Sequence, residues 1–223
     1  MPEEGIGVYI KAGFFSRTPK KNIIILLQIL RIINSLKFWL RLHLVVKKEE
    51  NPVFECRNRT ELYFSMISIF KESTKEFCNN LAKGILNMRL SEPLSQKITE
   101  YKAWLDNWKQ DEYLQVVDRI RNCLRFHIDS CIYDKYIKDG ENETKDLLIA
   151  VAVGERAMDI CFTEPYTFEF SYIAESVPDN VGKDKIDWIF ERSVQESDRF
   201  VKLLEEVVQE ILKGNAYKKP IDS

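Results

Sequence analysis

The sequence predicts a mainly α fold with a short antiparallel β section, and three observations carry that reading. Apolar residues recur every three or four positions over most of the chain. Between Leu147 and Tyr172 the period changes to two. From Lys183 to Lys213 the helical spacing returns, so the β section is an addition to a helical body.

A length of 223 residues suits one domain, read as residues 1–223. Hydrophobic residues make up 45% and charged residues 30%, with only 8 Gly and 7 Pro, which is a globular composition without linker-rich stretches. The 33 basic and 35 acidic residues leave a formal charge of −2. No global basic field attracts nucleic acid, so any such contact must come from a local patch. The five cysteines, Cys56, Cys78, Cys123, Cys131 and Cys161, are odd in number and show no C-x-x-C spacing. With only His43 and His127 beside them, neither a metal site of ordinary form nor a cofactor is expected. Free thiols in a reducing, cytoplasmic compartment are the expectation. Asn58-Arg59-Thr60 and Asn142-Glu143-Thr144 match the glycosylation acceptor pattern but carry no weight without a secretory signal.

Residues 1–20, with Pro2, Pro19 and most of the early glycines, read as an irregular lead-in. A first helix is predicted from about Lys21 to Lys48, stopping before Pro52. Its segment Asn22–Val46 raises the membrane question, and three readings are open: buried core helix, interfacial amphipathic helix and membrane span. A span needs roughly 20 apolar residues with few charges. Arg31, Lys37, Arg41 and His43 interrupt this one, which favours the core helix and no stable membrane insertion.

A second helix is predicted from about Thr60 to Met88 through Leu62, Met66, Ile69, Phe70, Phe77, Leu81 and Ile85. Ser91-Glu92-Pro93 is a helix-start signal, with Ser91 in the cap position. Helix continues to Lys109, pauses at Gln110-Asp111, and resumes from Tyr113 to about Lys138. Tyr101, Trp104 and Trp108 then form an aromatic face, which reads as core or interface rather than as a base-stacking platform. Residues 147–172 alternate as two or three short antiparallel strands, and residues 183–213 form the C-terminal helix, with Gly214 as its stop. Glu205, Glu206 and Glu210 read as a solvated helix face rather than a metal site. The chain contains no G-x-G-x-x-G, G-x4-G-K or G-x-S-x-G, which disfavours the enzyme classes built on them.

The one chemically distinctive segment is Arg121-Asn122-Cys123-Leu124-Arg125-Phe126-His127. On the helix from Tyr113, the apolar stripe runs through Val117, Ile120, Leu124 and Ile128. His127 falls within that stripe, about 20° from Ile120, while Arg121 stands about 120° from His127. A polar residue in an apolar stripe needs a partner or a purpose. The plain purpose is a core histidine hydrogen-bonded to a backbone carbonyl or carboxylate.

Arg121-Asn122, four residues and then His127 resembles the R-polar-x4-H motif of the HEPN superfamily of small helical bundles, many of which are metal-independent RNases. The longer run Ile120–Asp129 is similar to the "RN…FH-x-D" segment of HEPN-like proteins of about this length, in which a short β section and a final helix follow. The motif covers under a dozen residues, and the broader pattern about residues 60–175. The helix Asn22–Val46 and the strands lie outside a minimal HEPN bundle. The resemblance implies a homodimer that cleaves RNA through Arg121 and His127, with Asn122 in support and Arg125 widening the contact to RNA phosphates. It also implies a defence or toxin-type role with an antitoxin partner. A non-catalytic HEPN-like scaffold is the competing expectation.

Overall fold

The computed structural model describes residues 6–11, 13–46, 52–121, 151–152, 160–161, 174–175, 177, 179 and 184–220. These residues are mainly helical. The chain divides into two compact units. One comprises Met1–Asn34, Lys75–Asp106 and Arg199–Ser223; the other comprises Ser35–Thr74 and Asn107–Asp198.

The lead-in departs from the irregular segment expected of residues 1–20. Strand β1 (Ile6–Ile10) is followed by a short helix α1 (Phe14–Arg17). Strand β4 (Ala216–Pro220) pairs with β1 antiparallel, with Ile6 opposite Pro220 and Ile10 opposite Ala216. Lys11 Nζ also donates to the Gly214 carbonyl at 2.8 Å, across 203 positions of sequence. A strand whose partner lies that far away leaves no local signal, because a single strand has no stability until it is paired. Gly214 stops the C-terminal helix with φ of 75°, a left-handed conformation that a side chain resists.

The first long helix, α2 (Lys20–Val46), begins one residue before its predicted start. The next, α3 (Pro52–Glu76), begins eight positions earlier than Thr60. Pro52 was expected to mark an ending; instead it opens a helix, where its missing N–H costs nothing and its φ is already helical. A π-helical turn over Phe77–Leu81 then leads into α4 (Ala82–Leu86). Phe77, Leu81, Ala82, Gly84 and Ile85 are all buried across this change of pitch. Gly84 lies in the first unit against α2, so close that a Cβ there would stand 2.5 Å from Ile25 Cδ1.

Helix α5 spans Glu92–Asp106 and starts where Ser91 predicts. The Ser91 side chain does not cap the helix, however. Its hydroxyl and its backbone N–H both donate to the Glu210 carboxylate, at 3.2 and 2.8 Å. Trp108 falls in a separate 3-10 turn, Trp108–Gln110, so the predicted three-residue aromatic face ends at Trp104. The next helix, α6 (Glu112–Ile120), is capped by Asp111, whose carboxylate accepts from the Leu114 N–H at 2.9 Å. In the predicted β section, β2 (Val151–Ala152) pairs antiparallel with β3 (Ile160–Cys161). The rest of residues 147–172 lies outside the described residues. The last helix, α7, runs Lys185–Ile211, close to the predicted 183–213.

Aromatic rings organise both units. In the first, Phe200 stacks on Tyr101 at 5.3 Å and meets the edge of Phe77 at 5.4 Å. Arg199 lies over Tyr101 and Trp104 at 5.1 and 5.4 Å, which makes this aromatic face part of the packing. In the second, Tyr63 stacks on Phe190 at 3.9 Å, and its hydroxyl bonds His43 Nδ1 at 2.7 Å. Such ring pairs contribute roughly 0.5–1.5 kcal/mol beyond the area they bury.

Candidate functional site

Of the four residues in the predicted site, Arg121 lies among the described residues; Asn122, Arg125 and His127 lie outside them. Arg121 follows the last residue of α6, with helical backbone angles, and its N–H bonds the carbonyls of Val117 and Asp118. Ile120, Val117 and Val116 hold that end of the helix in the core. The backbone of Arg121 is therefore anchored by its helix, and the side chain emerges part-exposed, at 28%.

Its Nη2 donates to Glu72 Oε1 at 2.6 Å. Beside this pair, Lys71 Nζ meets Asp118 Oδ1 at 3.0 Å. Two neighbours on α3 thus engage Asp118 on α6 and Arg121 just after its end, with opposite polarity. A slip of either helix would place like charges together, so the two pairs favour this register of α3 against α6. Lys71 also stands 5.3 Å from the centre of the Trp108 ring, and Lys109 stands 5.8 Å from it. Neither Glu72 nor Lys71 was singled out from the sequence. Their signal, a Lys-Glu neighbour pair complementary to Asp118 and Arg121, is too common to identify partners 49 positions apart.

Deeper in the same unit, Tyr113 is buried beneath Phe70, Trp188 and Arg192. Burial pushes its hydroxyl well above the usual phenol range, and the nearby Ser193 tempers the rise. The Tyr113 hydroxyl makes no well-aligned hydrogen bond among the described residues. Arg192 pairs with the buried Glu196 at 2.8 Å, which supplies the counter-charge a buried carboxylate requires.

Glu206 pairs with Lys97 at 2.7 Å, and Glu210 is the acceptor for Ser91. No group of three or more His, Cys, Asp or Glu placed to hold a metal ion occurs among the described residues. No family model, curated protein or solved structure matches the chain.

Proposed function

We propose that this protein is a HEPN-like helical bundle, with an antiparallel β addition over residues 147–172, that acts on RNA as a metal-independent endoribonuclease. The observation that supports this reading is the state of Arg121. Its backbone is anchored by a buried helix end, and its guanidinium meets Glu72 at 2.6 Å while remaining part-exposed. A planar, part-exposed cation suits a phosphate group, because its donor fork matches two phosphate oxygens.

In this reading a histidine at position 127 removes the proton from the ribose 2′-hydroxyl or returns one to the leaving 5′-oxygen. The 2′-oxygen attacks phosphorus, the bond to the 5′-oxygen breaks, and a 2′,3′-cyclic phosphate remains. Arg121 stabilises the charge that develops on the phosphate oxygens. Asn122 supports the motif, and Arg125 extends the phosphate contact. A helix continued through position 127 would set Arg121 and His127 about 120° apart, and two copies about a two-fold axis would then complete the cleft. An antitoxin-type partner would act by covering that cleft.

The Glu72 pair also supports the second reading, a non-catalytic scaffold, since the same contact fixes α6 on α3. The deciding experiment incubates the full chain with single-stranded RNA and excess chelator. Cyclic-phosphate ends that disappear in His127→Ala support the enzyme. No cleavage by the wild type, with a dimer that persists in solution, supports the scaffold.

A further inference from the structure

Helix α2 has two apolar faces, and its own protein covers one of them. Ile25, Leu26, Ile29, Ile32, Ile33 and Leu36 are between 0% and 9% exposed. On the other side Ile24, Leu27, Phe38 and Val45 are 47%, 55%, 56% and 65% exposed. The helix is long and apolar enough to cross a membrane, yet only 33% of its most apolar stretch is buried. The core-helix expectation therefore describes one face of it.

The exposed side has a definite geometry. At 100° per residue, Lys20, Ile24, Leu27, Arg31, Phe38, Arg41 and Val45 fall within an arc of about 100°, directly opposite the buried residues. This arc belongs to one continuous helix and stretches roughly 37 Å from end to end. Lys20, Lys21, Arg31 and Arg41 are exposed along it or at its edge, and residues 20–46 contain no Asp or Glu.

A helix face that is apolar and cationic together, with no carboxylate within residues 20–46, fits an occupant that is apolar and anionic together. An anionic bilayer surface is both. Apolar side chains enter the boundary between headgroups and acyl chains, while lysine and arginine reach back to the phosphates. A second copy of this helix fits poorly, because Arg31 and Arg41 sit on the seam and would meet like charges. A membrane span fits poorly too, because the opposite face is already packed within the protein.

We propose that α2 docks this protein on anionic lipid surfaces, lying along the membrane with Leu27 and Phe38 inserted and with Lys20, Arg31 and Arg41 on the headgroups. The test is flotation of the full chain with vesicles of phosphatidylcholine and phosphatidylserine, about 3:1, against vesicles of phosphatidylcholine alone. Wild type is expected to float with the first and not the second, and to be released by high salt. Lys20→Glu/Arg31→Glu/Arg41→Glu should weaken binding on the order of a hundredfold, given the contribution of each basic residue near an anionic surface. Leu27→Gln/Phe38→Gln should also weaken it, with unchanged helicity and melting temperature in both variants, since all five side chains are exposed.

Three results overturn the proposal. Wild type that fails to float does so directly. Protein that resists an alkaline carbonate wash makes α2 a span. A dimer that Leu27→Gln/Phe38→Gln converts to a monomer, without any vesicle binding by wild type, assigns the face to a second copy.

Discussion

Glu72 accepts a 2.6 Å hydrogen bond from Arg121 and thereby holds the first residue of the motif on the helix that precedes it by 49 positions. The Glu72 side chain is 46% exposed, so solvent screens the pair and its energy is modest. Its consequence is position: the pair draws the Arg121 Nη2 toward α3.

A double-mutant cycle measures that link. Glu72→Gln and Arg121→Gln should each cost about 0.5–1 kcal/mol in denaturant unfolding, with a coupling near 0.5 kcal/mol. Arg121→Lys separates orientation from charge, since lysine keeps the charge and loses the planar fork. It should melt within a few degrees of wild type and cleave RNA at least tenfold more slowly. Equal cleavage by Arg121→Lys and wild type would remove Arg121 from the mechanism.

RNA cleavage in excess chelator provides a second measurement. His127→Ala should reduce the rate on the order of a hundredfold, the usual scale for a lost acid–base group. Arg121→Ala should cost a comparable factor through lost charge stabilisation. Light scattering should report a dimer. Identical cleavage by His127→Ala and wild type would point to a contaminating nuclease.

Gly84 provides a test of packing in the first unit. A Cβ at this position meets Ile25 Cδ1 at 2.5 Å, and the next Ile25 atom at 3.4 Å. Alanine gains about 1 kcal/mol of helix propensity over glycine. Overpacking costs roughly 1–3 kcal/mol. Gly84→Ala should therefore be neutral to destabilising by about 1–2 kcal/mol, and Gly84→Leu should lose more. Adding Ile25→Val removes the clashing methyl and should restore most of the Gly84→Ala loss. A stabilised Gly84→Ala would show that the Ile25 end moves aside freely.

Tyr113 makes stability depend on alkaline pH. Its folded-state hydroxyl ionises above the unfolded phenol value of about 10. The stability it contributes is fully present below that pH and is lost as pH rises beyond it. Melting temperature should fall as pH rises above about 10, and less steeply in Tyr113→Phe. Near neutral pH the substitution should change stability by less than about 1 kcal/mol, because the hydroxyl lacks a well-aligned partner among the described residues. A slope unchanged by Tyr113→Phe would mean that this hydroxyl ionises without unfolding the protein.

The sequence by itself determined the helical body, because apolar spacing encodes a helix and one buried stripe without reference to anything distant. It also located the pause at Gln110-Asp111 and the stop at Gly214, since a left-handed stop is written in one residue. It singled out Arg121 through a motif contained within seven positions. Only the tertiary structure decided that β1 pairs with β4 and that Glu72 holds Arg121. Pairing and charge contacts depend on which segments meet, and no local period records a partner dozens or hundreds of residues away. The same holds for α2. Its composition makes both faces apolar, but the neighbours that cover Ile29 and leave Phe38 open are supplied by the fold.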